Sequence, residues 1–267
     1  HVRSRRQRQM CIRDSMNIFR AFVCFFLPSC VIRLISKIIR SKKIVLGKNA
    51  KIGFSFIVAE SIVMDDNTSV GHFNYVNIKR LHFEKGGSIK HLNFIKGDFS
   101  IFIGENAWIR TQNKISATRG TYHDVNLVLD KYAKIGVKQL LDMTDSITIG
   151  ESSMLAGADT QIWTHSFLFS KTEKKYARID SPVVIGKHCY IGARCTILSG
   201  VNIADAITVG ACTCVSKSLN VQGLYTSQDL KYKKFDPDER MENLGRPVMN
   251  TFISVSYTHL TLPTTPY

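Results

Sequence analysis

The chain has 267 residues, 44% of them hydrophobic, with 36 Lys+Arg against 21 Asp+Glu and a formal charge of +15. That apolar content excludes a disordered or collagen-like chain, while the basic excess favours anionic partners (phosphates, acidic lipid headgroups or nucleic acid) without choosing among them. Seven cysteines without paired CxxC spacing argue against a disulfide framework or a zinc ribbon and read as reduced thiols, as in the cytoplasm.

In chain order, residues 1–15 and 254–267 fit no pattern between them. Cys11 to Ser15 and Val255 to Thr265 resemble translated sequencing-adapter read-through, so both ends are expected to be non-native, with Met16 as the natural start and a point near Asn250 as the last natural residue. Arg3, Arg5, Arg6, Arg8 and Arg13, offset by Asp14, then carry charge foreign to the fold, and no nucleic-acid partner is expected. Residues 16–41 form the most apolar stretch. Its uncharged run, Ala21 to Ile32, is too short to span a bilayer, which needs about 20 apolar residues. The spacing predicts an apolar or amphipathic helix that lies on a membrane surface or caps the core, with Lys42 and Lys43 suited to acidic headgroups.

From residue 44 to 217 a six-residue rhythm dominates. Ile185, Ile191, Ile197, Ile203, Val209 and Val215 recur at intervals of six, mostly followed by a small residue. The same register runs earlier with slips: Leu46, Ile52, Val58, Met64, Val70 and Val76; Ile103, Ile109 and Ile115; Leu129, Ile135 and Leu141; Ile149 and Leu155. A helix of 3.6 residues per turn sends such positions to opposite sides, whereas six is a multiple of the strand period of two. Short strands with a turn every six residues therefore keep each aliphatic side chain inside, and three strands close one coil of a triangular prism. Residues 166–182, polar and basic and without the rhythm, form a loop pushed out of the coil, and residues 218–250 are a short C-terminal extension.

Three motifs narrow the reading: TQIWTHSF at Thr160–Phe167, PVVIGKHCYIGA at Pro182–Ala193, and ILSGVNI at Ile197–Ile203 leading to Val209–Ala211. With Leu27-Pro28 and Gly223–Tyr225, they resemble the left-handed β-helix, hexapeptide-repeat acyltransferases, and within them the sugar and polysaccharide O-acetyltransferases. The resemblance implies an all-β, left-handed parallel β-helix, whereas general crossover rules would give the opposite hand. It also implies acetyl-CoA as co-substrate, a homotrimer with active sites at subunit clefts, and no metal.

Carried over residue by residue, the resemblance makes His165 the general base that takes a sugar hydroxyl proton as the oxygen attacks the thioester directly, without an acyl-enzyme. It places Tyr190 beside the acyl chain where relatives often carry Trp, and Gly192, Ala193 and Ala211 where backbone meets the pantetheine arm or thioester. Ser216 and Lys217 fall at the coenzyme's polar end. The alternative for the small residues is turn packing. Gln139, Asp142 and Asp145 are acceptor-side candidates that orient His165 or hold a sugar hydroxyl, against a default of solvated corners. Lys171, Lys174, Lys175 and Arg178 suit a phosphate or a plain solvated loop.

A γ-type carbonic anhydrase shares the fold, but His72, His82, His91, His123, His165 and His188 contain no close ligand pair. The expected protein is a cytoplasmic O-acetyltransferase acting on a sugar or polysaccharide precursor, with peripheral contact at the inner face of the membrane. The rival readings are a noncatalytic trimeric scaffold or membrane-associated interaction protein, and an amino-sugar N-acetyltransferase. The acceptor sugar, its hydroxyl and the acyl chain length stay open.

Overall fold

The computed structural model describes residues 44–117, 123–171, 176–227, 231–234 and 236. The helix expected over 16–41, both suspect termini and most of the C-terminal extension lie outside the described residues. A first compact unit runs to Lys234 and holds everything described below except Asp236.

The described chain is an all-β parallel solenoid of about nine coils. Its strands stack on three faces. On the first face Leu46, Met64, Phe83, Ile103, Leu129, Ile149, Ile185 and Ile203 are register partners in succession. On the second the column is Ile52, Val70, Ile89, Ile109, Ile135, Leu155, Ile191, Val209 and Tyr225. On the third it is Ile57, Val76, Ile95, Ile115, Leu141, Ile162, Ile197 and Val215. All of these side chains are buried, and each contributes roughly 1.5–3 kcal/mol by leaving water. Backbone bonds run from coil to coil, as from Lys51 N–H to Thr68 O and Gly53 N–H to Val70 O. A lone coil could satisfy neither its amides nor its apolar edge, so the column folds as an array.

The six-residue rhythm therefore fills the interior as expected, with one correction. Ile57, not Val58, points inward in its coil. The strand Phe56–Met64 runs unbroken around the corner from the third face to the first, and its alternation is reset at Glu60, which shifts the inward position by one residue. Tyr75–Phe83 turns the same corner in the same way, so the first and third faces join in one 14-stranded sheet. The column also continues past Lys217: Gly223–Thr226 pairs in parallel with Ile207–Val209, and Lys231–Lys233 returns antiparallel to it.

The three corners differ. The first, between the first and second faces, and the second, between the second and third, turn through left-handed residues that are mostly not glycine. Asn49, Asn67 and Asn106 serve at the first, and Phe73, Leu92 and Gln112 at the second, all with φ between 56° and 62°. The third corner, from the third face back to the first, carries the insertions. An ordinary coil takes 18 to 20 residues, but 26 separate Asn113 from Gln139 and 36 separate Ser153 from Cys189. The first excess follows Lys114–Ser116 in the sequence, and residues 118–122 of it lie outside the described residues. The second is an antiparallel ribbon, His165–Phe169 against Tyr176–Asp180, where the sequence suggested a loop. Its first residue is His165.

Two polar systems are buried in the column. At the second corner Ser55, Asn74, Asn93, Asn113, Gln139 and Thr160 form a ladder, each linked to the next coil. Asn93 donates its main-chain and side-chain N–H to Asn74 Oδ1 at 2.9 Å, and Asn113 does the same to Asn93 Oδ1 at 3.0 Å. Gln139 N–H donates to Asn113 Oδ1, Thr160 N–H to Gln139 Oε1, and Thr160 Oγ1–H to the Gly192 carbonyl. The second system lies at the third corner.

Candidate active site

Asp142 ends the strand Leu140–Asp142 on the third face, and His165 lies one coil later, at the root of the ribbon. Asp142 Oδ2 lies 2.7 Å from His165 Nδ1. The carboxylate is also met by Thr164 N–H at 3.0 Å and by the Thr144 hydroxyl, which donates to Oδ1 at 2.7 Å. The Thr164 hydroxyl sits 2.8 Å from both Asp142 Oδ2 and the Asp142 carbonyl, and it accepts Asp145 N–H at 2.9 Å. Four donors surround one buried charge, the arrangement that makes burying a carboxylate tolerable. Because a carboxylate accepts, the imidazole proton is assigned to Nδ1, which leaves Nε2 as the lone-pair nitrogen.

The ring is only 13% exposed. Trp163 meets it edge-on at 6.1 Å and Phe167, on the ribbon, at 5.4 Å. It lines a cavity of about 190 Å³ with Lys114, Ser116, Leu140, Asp142 and Trp163. The Trp163 indole N–H donates to Gln161 Oε1, which holds the indole in the cavity wall. Such a site can remove a proton from a hydroxyl placed against Nε2, while Asp142 stabilises the imidazolium that forms.

Of the acceptor-side candidates, Asp142 is the residue brought to His165. Asp145 is buried on the same turn and holds a second imidazole, His123, at 2.9 Å. Gln139 belongs to the ladder at the second corner and donates Nε2–H to the Gly157 carbonyl. None of the three is a solvated corner: all are buried, because each has partners for its polar atoms.

The donor-side candidates divide. Tyr190 stands exposed on the second face, and Gly192, Ala193 and Ala211 follow at the second corner, across the prism from the His165 edge. Gly192 has both backbone groups engaged within the column, its N–H on the Val209 carbonyl and its carbonyl under Thr160 Oγ1. A Cβ there would meet Ala211 N at 2.6 Å. Coil packing therefore accounts for this glycine. Ser216 and Lys217 are exposed on the His165 edge, two coils beyond it. One column does not bring the Tyr190–Ala211 group to the imidazole. Arg178 makes a bidentate pair with Asp180 within the ribbon, so it is not a loose phosphate ligand. Lys174 and Lys175 lie outside the described residues.

Lys114, Ser116, Leu140 and Trp163 were not singled out as site residues from sequence. Ser116 and Asp142 are register partners, a relation visible only once the 26-residue coil is counted as one turn. Among the described residues no helix is long and apolar enough to cross a membrane.

No family model matches the chain. The galactoside O-acetyltransferase of Escherichia coli (strain K12) is 27% identical over 137 residues, which cover 49% of this chain and 61% of that protein. The chain is similar to a sugar O-acetyltransferase. It spans less than two thirds of that relative's length. Among solved structures, the polySia-specific acetyltransferase NeuO matches at 15% identity, 72% of this chain and 79% of that one, with a TM-score of 0.42. The polysialic acid O-acetyltransferase OatWY matches at 19% identity over 73% and 82%, with a TM-score of 0.34. AntD, an N-acyltransferase from Bacillus cereus solved with dTDP-4-amino-4,6-dideoxyglucose and Coenzyme A, matches at 17% identity over 79% and 94%, with a TM-score of 0.40.

Proposed function

We propose that the chain is an O-acetyltransferase that moves an acetyl group from acetyl-CoA to a hydroxyl of a sugar or polysaccharide precursor. The observation that carries the reading is the imidazole of His165, fixed through Nδ1 by a buried, fully engaged carboxylate while it lines a cavity walled by Trp163. The curated relative named above supports the same reading.

In this mechanism the acceptor sits in the cavity against Trp163 and Ser116, with one hydroxyl against His165 Nε2. The hydroxyl oxygen attacks the thioester carbonyl carbon as its proton passes to Nε2. The tetrahedral intermediate then expels the thiolate, which takes the proton from the imidazolium to give free coenzyme thiol and the sugar acetate. Asp142 holds the ring in one tautomer throughout and steadies the transient charge. Tyr190, Ala193 and Ala211 form the donor wall of a neighbouring column, with Ser216 and Lys217 at the coenzyme's polar end. A homotrimer supplies that neighbour and explains why one column separates the two groups. The trimer works in the cytoplasm, in peripheral contact with the membrane.

Incubation with acetyl-CoA and a panel of sugars, followed by thiol release and product mass, tests the assignment. Release that depends on a sugar, with an acetyl ester in the product, is the expected result. Release without a sugar, or none with any acceptor, overturns it, and an amide product moves it to the amino-sugar class.

A further inference from the structure

The second face of the first five coils carries cations and no carboxylate. Its outward positions read Lys51, Gly53 and Phe54; Ser69, Gly71 and His72; Ser88, Lys90 and His91; Trp108, Arg110 and Thr111; Lys134, Gly136 and Val137. Each coil presents at least one cation or imidazole donor, and the third presents two, Lys90 and His91. The first corner beside it differs, since its charges are compensated: Lys131 pairs with Glu105 at 2.9 Å and Lys187 with Glu151 at 3.6 Å. Among the described residues Lys51, Lys90, Arg110 and Lys134 have no carboxylate partner.

The donors are ordered by the column. His72 Nδ1 accepts Phe54 N–H at 3.1 Å and His91 Nδ1 accepts His72 N–H at 2.9 Å. Both rings therefore present Nε2–H as a donor, and they stack 5.5 Å apart and nearly parallel. They border a cavity of about 420 Å³ lined also by Lys51, Ser69 and Lys90. Farther along, Arg110 and Lys134 each sit 5.8 Å from the Trp108 ring centre, which holds two long side chains in place without neutralising them.

We propose that this face is a docking track for an acidic glycan, a chain of sugars bearing carboxylates. Coils repeat about every 4.8 Å, so the donors of five coils span roughly 19 Å along the axis. That step is close to the advance of one ring in an extended pyranose chain, which lets successive acidic sugars meet successive coils. A nucleic acid is the competing polyanion, since the exposed ring of Phe54 also offers a stacking face, and the test below sets the two apart. The choice of a glycan rests on the acetyl-transfer reading above, whose acceptor it specifies as an anionic polymer.

Binding of labelled oligogalacturonates of increasing length, beside neutral dextran oligomers and single-stranded DNA, tests the track at low and physiological salt. The expected result is affinity that grows with length to about five rings and then levels. It should weaken with salt, and dextran should show no binding. The double variant Lys90→Glu, Arg110→Glu should bind at least about tenfold more weakly, with its melting temperature and its turnover of a single-sugar acceptor unchanged. Length-independent binding, DNA bound as tightly as the galacturonate, or a variant that binds like the parent would each overturn the proposal. If the track binds but no sugar is acetylated, the enzymatic reading fails and the binding site stands; if single sugars are acetylated but nothing binds, the track alone fails.

Discussion

The polar ladder at the second corner and the Asp142–His165 cluster at the third are built from similar parts on neighbouring corners. In the ladder the side-chain oxygens of Asn74 and Asn93 each accept both N–H groups of the next asparagine, so its middle rungs close on the column itself. In the cluster the chain of bonds runs through Thr164, Thr144 and Asp142 and ends on an imidazole that lines a cavity. A closed network holds coils together, whereas one that ends on a titratable ring at a cleft is equipped to exchange protons with something outside. Substitutions should separate stability from activity along that line.

The largest effect is expected for His165→Ala, which should lower kcat for acetyl transfer by about 10²- to 10⁴-fold. Its melting temperature should stay near the parent's, since Asp142 keeps its Thr144 and Thr164 donors. Thiol-release kinetics and a thermal melt check both, and a large fall in melting temperature would make the ring a structural element. Asp142→Asn should reduce kcat by up to about 10⁴-fold, no more than the histidine variant, by loosening the tautomer. It should also destabilise the fold by roughly 1–3 kcal/mol, because its amide N–H₂ faces donors. Joint loss of rate and denaturant midpoint distinguishes it from the histidine variant. Asn93→Leu is the converse case. It takes the acceptor from the main-chain and side-chain N–H of Asn113 in the interior, for a destabilisation of about 2–4 kcal/mol read by urea titration, and molecules that remain folded should turn over at the parent's rate.

The smallest effect concerns thiols. Burial pushes Cys189 and Cys195 above the ordinary thiol range, so the folded state holds their protons more tightly than the unfolded chain. Their contribution to stability is fully present below the unfolded value, about 8.5, and is lost as pH rises through the raised folded values. The denaturant midpoint should thus decline above about pH 8.5, less steeply in Cys189→Ala, Cys195→Ala. At neutral pH, site-mapped alkylation should reach the exposed Cys212 and Cys214 and spare the buried pair.

The core was legible because one physical rule, an aliphatic side chain inward every six residues, repeats on every face. It failed at Val58, where a strand bends round a corner without a turn and resets the alternation at Glu60. The ladder left a trace in Asn74, Asn93 and Asn113, nearly one coil apart, but amide partners are not periodic in hydrophobicity and escaped a hydrophobic pattern. His165 stood out through its motif. Its partner Asp142 was one of three polar candidates on one stretch: the coil count sends Gln139 to the second corner, but Asp142 and Asp145 share the third, and only the side-chain contacts, to His165 and to His123, tell them apart. Lys114 and Ser116 join the cavity across a coil lengthened to 26 residues, a distance that sequence spacing alone does not convert into contact.

The ribbon begins at His165 itself, and Phe167 on it walls the ring. A ribbon that stands outside the coil register is thus rooted on a ring held by a buried carboxylate. On the proposed acetyl-transfer reading, acceptor preference is open to change by editing the ribbon alone, with the coils beneath left to carry stability unaltered.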